Sequence, residues 1–184
     1  MMNFNAVVKR LLEGFQEKNI RYALIGGFAL GAYGIPGATI DIGFLVHYDD
    51  LSRVKELMES YDYECIFQTE NVSQYVSPLE FFGEVDFLHA FRKISLGMLE
   101  RATEKEILGE KLKIKVLRVE DIIGLKVQAA ANNENRSNQE YADIEALISQ
   151  FKTNLDWELV KEYLSMFDQY PLFEKLKGKY YEIE

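Results

Sequence analysis

The chain is poor in the residues that staple, interrupt or anchor a fold. A single cysteine, Cys65, in 184 residues excludes an internal disulfide and suits a reducing compartment; beside Ile66 and Phe67 it reads as a strand residue. Three prolines leave long stretches free for helix and strand. No apolar run approaches the roughly eighteen residues that a membrane span needs, and no charged segment followed by an apolar one opens the chain. The sequence therefore reads as soluble and cytoplasmic, without a membrane partner. Its two histidines, His47 and His89, have no metal-ligand spacing and are expected at the surface or in turns. A P-loop, a Ser-His-Asp order, a Cys/His cluster, repeats and low-complexity tracts are all missing. Cations are also scarce: 21 Lys and Arg face 30 Asp and Glu, a formal charge of -9 that repels polyanions at long range. A nucleic acid would have to be met by a local basic patch, and Lys175, Lys177 and Lys179 near the C-terminus read as a solvated end.

What is present is ample core material, with 48% hydrophobic residues, 12 Phe and 11 Tyr. Phe4, Val7, Val8, Leu11, Leu12 and Phe15 recur at helical spacing, which predicts an amphipathic first helix. Residues 22–25 predict a strand broken by Gly26-Gly27, then a short helix to about Tyr33 and a turn at Pro36-Gly37. Thr39 to Val46 predicts a strand, and Asp49-Asp50 a capped helix. Residues 63–69, 72–77 and 81–90 predict strands in antiparallel hairpins, followed by a helix over 94–102 and a hairpin over 106–116 turning near Gly109-Glu110. Beyond residue 117 the period changes to helical: one helix carries Lys126, "ANNENRSN" reads as a polar loop, and Ser137 with Glu140 predicts a capping box for the next helix. A last helix is expected over 157–167. The expected architecture is α+β, an α/β core over 1–117 and a helical part over 118–184, packed as one unit.

Chemistry concentrates in a few positions. Two glycines between a strand and a helix let a ligand phosphate approach backbone N–H groups, although a plain tight turn uses the same pair. Asp41 lies among strand formers, where a carboxylate is costly unless paired, solvated or bound to metal; Asp86, between Val85 and Phe87, raises the same question on a second strand. If those strands are neighbours, the two acids converge. Lys126, on an apolar helical stripe, needs an anion, either a carboxylate such as Asp143 or a ligand phosphate.

The order of strand, Gly-Gly, short helix, turn, Asp strand, second Asp strand, lysine helix and Asp helix resembles the nucleotidyltransferase superfamily of DNA polymerase beta, most closely its AbiEii (abortive-infection toxin) type. The likeness runs from about Tyr22 to Ile148. It implies a mixed sheet flanked by helices with a helical C-terminal extension. It also implies that Gly26 and Gly27 form the phosphate turn and that Thr39 contacts the nucleotide. Asp41 and Asp86 would then hold Mg²⁺ and be catalytic, Lys126 would meet the phosphates, and Asp143 would be the acid of the last motif. Arg136 and Glu140 fall where the family often has an Arg and an acid. Two positions depart: Gly37 stands where the family's Arg-x-Thr-x-Asp-x-Asp has Arg, and Gly43 where it has the second Asp. Two-ion phosphoryl chemistry relies on carboxylates that grip both ions, so the implied protein binds a nucleoside triphosphate with Mg²⁺-dependent transfer weakened or lost. Two readings stand beside it: an active enzyme using Asp41 and Asp86 to move an NMP onto an RNA or protein acceptor, or a non-catalytic protein binding its cognate antitoxin or toxin in a toxin–antitoxin or phage-defence system.

Overall fold

In the computed structural model, which describes residues 3–37, 41–107 and 112–181, the backbone divides into two units, Met1–Leu117 and Arg118–Glu184. The first is built on a seven-stranded mixed sheet. In chain order its elements are α1 (Phe4–Glu17), β1 (Tyr22–Ile25), α2 (Gly26–Ala32), β2 (Asp41–His47), a 3-10 turn at Tyr48–Asp50, α3 (Leu51–Ser60), β3 (Glu64–Gln68), β4 (Val72–Val76), β5 (Glu84–Ala90), α4 (Lys93–Glu100), β6 (Thr103–Ile107) and β7 (Leu112–Val116). The strand order is β3-β4-β5-β2-β1-β7-β6. Neighbours pair antiparallel except β2 with β5 and β1 with β7, which run parallel. The expected hairpin turn near Gly109-Glu110 lies outside the described residues.

The pleat gives each face of the sheet its own chemistry. On one face Phe44, Phe87 and Tyr75 project from β2, β5 and β4, and α1 lays its buried stripe of Val7, Val8, Leu11 and Phe15 over them. The Phe15 ring meets Phe44 edge-on at 5.1 Å between centroids, and Phe44 stacks on Phe87 at 5.9 Å. The other face, one residue out of phase, carries Asp41, Gly43 and Asp86.

Several expectations need correction. Residues 81–83 do not extend the fifth strand, because Gly83 adopts a left-handed φ of 61° that breaks the extended path. Asp50 does not cap α3 with its side chain; the carboxylate is turned inward onto arginines. His89 is buried, not at the surface: its Nδ1 lies 2.9 Å from the Glu70 carbonyl and its Nε2 3.0 Å from Ser73 Oγ, so burial leaves neither ring nitrogen unpaired.

The second unit is helical, with α5 (Val119–Asn132), α6 (Glu134–Phe151), α7 (Trp157–Met166) and α8 (Tyr170–Tyr180). The loop expected at "ANNENRSN" is almost entirely helix. A single residue, Asn133, separates α5 from α6, and its side chain accepts from the Asn135 N–H. Ser137 is thus inside α6, where its hydroxyl donates to the Glu134 carbonyl instead of forming a capping box. The C-terminal end forms helix α8: a proline starts it, and Phe173 and Leu176, three residues apart, bury one face, while Lys175 and Lys179 stay exposed as expected. Among the described residues no helix is long and apolar enough to cross a membrane.

Candidate functional site

The candidate site of the first unit lies where β1 ends and β2 begins. Gly26, at φ 70°, occupies left-handed backbone that an L side chain rarely adopts, and it bends the chain from β1 directly into α2. The segment leaving α2 then folds back onto this turn. A Cβ added at Gly37 would lie 2.5 Å from the Gly27 carbonyl oxygen, so only hydrogen fits there. An Arg side chain at position 37 is therefore incompatible with this path of the backbone. We expect Gly37→Ala to displace the glycine turn and destabilise the first unit by about 1–3 kcal/mol, the usual cost of overpacking; thermal unfolding of the purified variant measures it. Thr39 lies outside the described residues.

The parallel register of β2 and β5 sets Gly43 directly beside Asp86 and Asp41 beside Glu84. Asp41 and Asp86 thus share one face of neighbouring strands, and Glu84, two residues before Asp86, joins them. Sequence reading passed over Glu84, although the Glu84-x-Asp86 spacing was a sufficient signal that both acids lie on one side of a strand. On β4, Gln74 pairs with Asp86, and its side-chain amide donates to Asp86 Oδ1 at 3.2 Å. Burial pushes the Asp86 carboxyl up to about 6; the Gln74 hydrogen bond opposes this, and the charges of Asp41 and Glu84 add to it. At position 43 a Cβ would approach Ile25 Cγ1, on β1, to 3.0 Å. The room beside Asp86 is thus bordered by an apolar side chain and holds no third oxygen ligand from β2. Among the described residues no group of three or more His, Cys, Asp and Glu side chains is placed to hold a metal ion.

Lys126 and Asp143 belong to the second unit, where they meet each other. Lys126 Nζ, buried in the middle of α5, donates to Asp143 Oδ2 at 2.6 Å and to Glu140 Oε2 at 2.9 Å, both on α6. The remaining oxygens are also served: Arg136 lies 3.2 Å from Glu140 Oε1, and the Gln139 amide donates to Asp143 Oδ1 at 2.8 Å. Two cations and two carboxylates close this network with no net charge, and Lys126 finds its anions within the protein.

A glycine turn leading into a short helix, followed by an Asp-bearing strand in a mixed sheet, defines the nucleotidyltransferase fold. The chain belongs to the family described as nucleotidyl transferase of unknown function (DUF2204), whose model matches residues 5–177. No curated protein sequence matches it. Among solved structures it is similar to the antibiotic-resistance factor ANT(2'')-Ia, with a TM-score of 0.66 at 12% identity over 95% of this chain and 96% of that one. It is similar to an antigenic nucleotidyltransferase-like protein from Paracoccidioides brasiliensis, with a TM-score of 0.55 at 20% identity over 95% and 93% of the two chains. It is also similar to the lincosamide antibiotic adenylyltransferase LnuA in its lincomycin-bound form, with a TM-score of 0.58 at 13% identity over 81% and 98%.

Proposed function

We propose that this protein binds a nucleoside triphosphate at the Gly26-Gly27 turn and that its Mg²⁺-dependent nucleotidyl transfer is weakened or lost. The observation that carries the reading is the register of β2 on β5, which puts Gly43, a residue with no side-chain oxygen, beside Asp86. Nucleotidyltransferases of this fold use paired divalent ions, and the residues present do not fit a pair. One strand supplies Asp41 alone, Asp86 already accepts from Gln74, and Ile25 borders the place of the missing ligand. What remains suits at most one weakly held ion shared with the triphosphate, since Mg²⁺ is commonly bound by one or two carboxylates plus substrate oxygens. In this reading Asp41 and Asp86 are the residual ligands, Gly26 and Gly27 face the phosphates, and Thr39 contributes to nucleotide binding, while Lys126 and Asp143 are engaged with each other in the second unit.

Calorimetric titration with ATP, CTP, GTP and UTP, with and without Mg²⁺, tests this reading. Saturable binding of at least one nucleotide, weakened about tenfold or more in Asp41→Ala when Mg²⁺ is present, is the expected result. No binding of any nucleotide overturns the reading and leaves a partner-binding protein, of the toxin–antitoxin kind that the AbiEii resemblance implies. An active enzyme is a second reading. The likeness to ANT(2'')-Ia and LnuA over most of the chain favours a small-molecule acceptor for it over RNA or protein.

A further inference from the structure

Away from the glycine turn, a cleft of about 300 Å³ opens at the opposite ends of β1 and β2. Tyr22 begins β1 and His47 ends β2, so about six strand steps, roughly 20 Å, separate this cleft from Asp41. It is lined by Arg21, Tyr22 and His47, by Lys115 of β7, and by the end of α4, where Leu96, Leu99 and Glu100 face it with Ala102. Helix α4 packs against β2 and β5, which fixes this apolar wall against the charged ends of the strands.

The charges around the cleft are balanced, in contrast with the strongly acidic chain. Arg21 and Arg53 both bind the buried Asp50, and Arg21 Nη2 lies 3.9 Å from Asp49. With Lys115 and Glu100, and with Glu104, which stands opposite Lys115 in the sheet and pairs with Lys113, the local sum is four cations against four carboxylates. Arg21 keeps half of its side chain exposed while bound to Asp50, so it retains N–H donors for a ligand. His47 Nδ1 accepts from the Asp49 N–H at 3.2 Å, which in the neutral ring puts the proton on Nε2 as a further donor. A polyanion gains nothing from a locally neutral field, and a polycation meets two cationic side chains on the lining. A small ligand that carries both signs on an apolar body satisfies every group in the lining: a carboxylate for Arg21, Lys115 and His47, an ammonium for Glu100, and a hydrocarbon side chain for Leu96 and Leu99. The volume sits at the small end of ligand pockets.

We infer that this cleft is a binding site for a small zwitterion with an apolar side chain, of the size and chemistry of leucine or phenylalanine. The inference does not use the nucleotide site. Calorimetric titration of the full chain with L-leucine, L-phenylalanine, 4-methylpentanoate, which lacks the ammonium, and 3-methylbutylamine, which lacks the carboxylate, tests it. At least one amino acid is expected to bind saturably, and L-leucine at least tenfold more tightly than either one-pole analogue. Lys115→Ala and Glu100→Gln, both at exposed positions and each checked for an intact fold by circular dichroism, are expected to weaken amino-acid binding about tenfold. The inference is overturned if neither amino acid binds, if the analogues bind as tightly as L-leucine, or if both variants bind like the native chain.

Discussion

Replacing Gly43 by Asp is expected to raise the affinity for divalent metal at least tenfold and to create, or strongly raise, metal-dependent nucleotidyl transfer. The substitution places a carboxylate on β2 directly beside Asp86, on the face that already carries Asp41. Even groups behind the ligands tune metal affinity by about 10 to 100-fold, so a direct ligand is expected to matter at least as much. The fit is tight: the new Cβ would meet Ile25 Cγ1 at 3.0 Å, so that buried, β-branched side chain must give by a few tenths of an ångström. Titration with Mn²⁺ followed by electron paramagnetic resonance reads binding, and pyrophosphate release from nucleoside triphosphates reads transfer. Adding Asp41→Ala to the Gly43→Asp variant should return both to the native level. The gain should also follow pH. The Asp86 carboxyl titrates at about 6, above the ordinary range, and a new neighbouring charge pushes it the same way. Metal binding by the variant should therefore weaken on acidification, as Asp86 takes up its proton. If the native protein already transfers nucleotides and the substitution changes neither readout, the loss of a ligand at position 43 does not explain its chemistry.

Asp50→Ala is expected to destabilise the first unit by about 3 kcal/mol. The carboxylate is fully buried, and it accepts from the Arg21 backbone N–H at 2.8 Å, from Arg21 Nε at 2.9 Å and Nη2 at 2.8 Å, and from Arg53 Nη2. Burial alone would raise its pKa, but these hydrogen bonds and the Arg21 charge hold it at about 2. The folded value lies below the ordinary carboxylate value near 3.8. Its contribution is therefore complete above pH 4 and is lost as pH falls from there towards 2. For a chain of this size the substitution lowers the melting temperature by on the order of 10 °C, and the native chain should lose much of its margin over the variant on acidification through that window. An unchanged melting temperature at pH 7 would mean that the two arginines do as well in water as on Asp50.

The alternation of apolar and polar residues made Asp86 and its face legible in the sequence, and the glycine pair made the turn into α2 legible. Register was not. Nothing in either strand says that Gly43, and not Asp41, stands beside Asp86, because the pairing is set by the crossover connections and the packing of Phe44 on Phe87. Asp50 was legible as a helix cap by type and position, yet its partner Arg21 is distant in sequence and redirects the carboxylate inward. His89 was misplaced for a similar reason, since the partners that make its burial tolerable, Ser73 and the Glu70 carbonyl, come from another strand and its loop. Asn133 hid the α5–α6 junction because a polar, glycine-free run serves a one-residue break as well as a loop.

The contact between Gly27 and Gly37 bears on how this site can be rebuilt. Position 43 borders a side chain at 3.0 Å, where a few tenths of an ångström of movement suffice, whereas position 37 borders a carbonyl of the main chain at 2.5 Å. Repair by substitution is therefore ordered. An acid can be placed on β2 in one step, but a guanidinium fits at the turn only after the loop from Ile35 to Gly37 has taken another path. In a library randomised at both positions and selected for transfer activity, improved clones should carry changes at 43 alone, or changes at 37 accompanied by loop residues around it, and not an isolated arginine at 37.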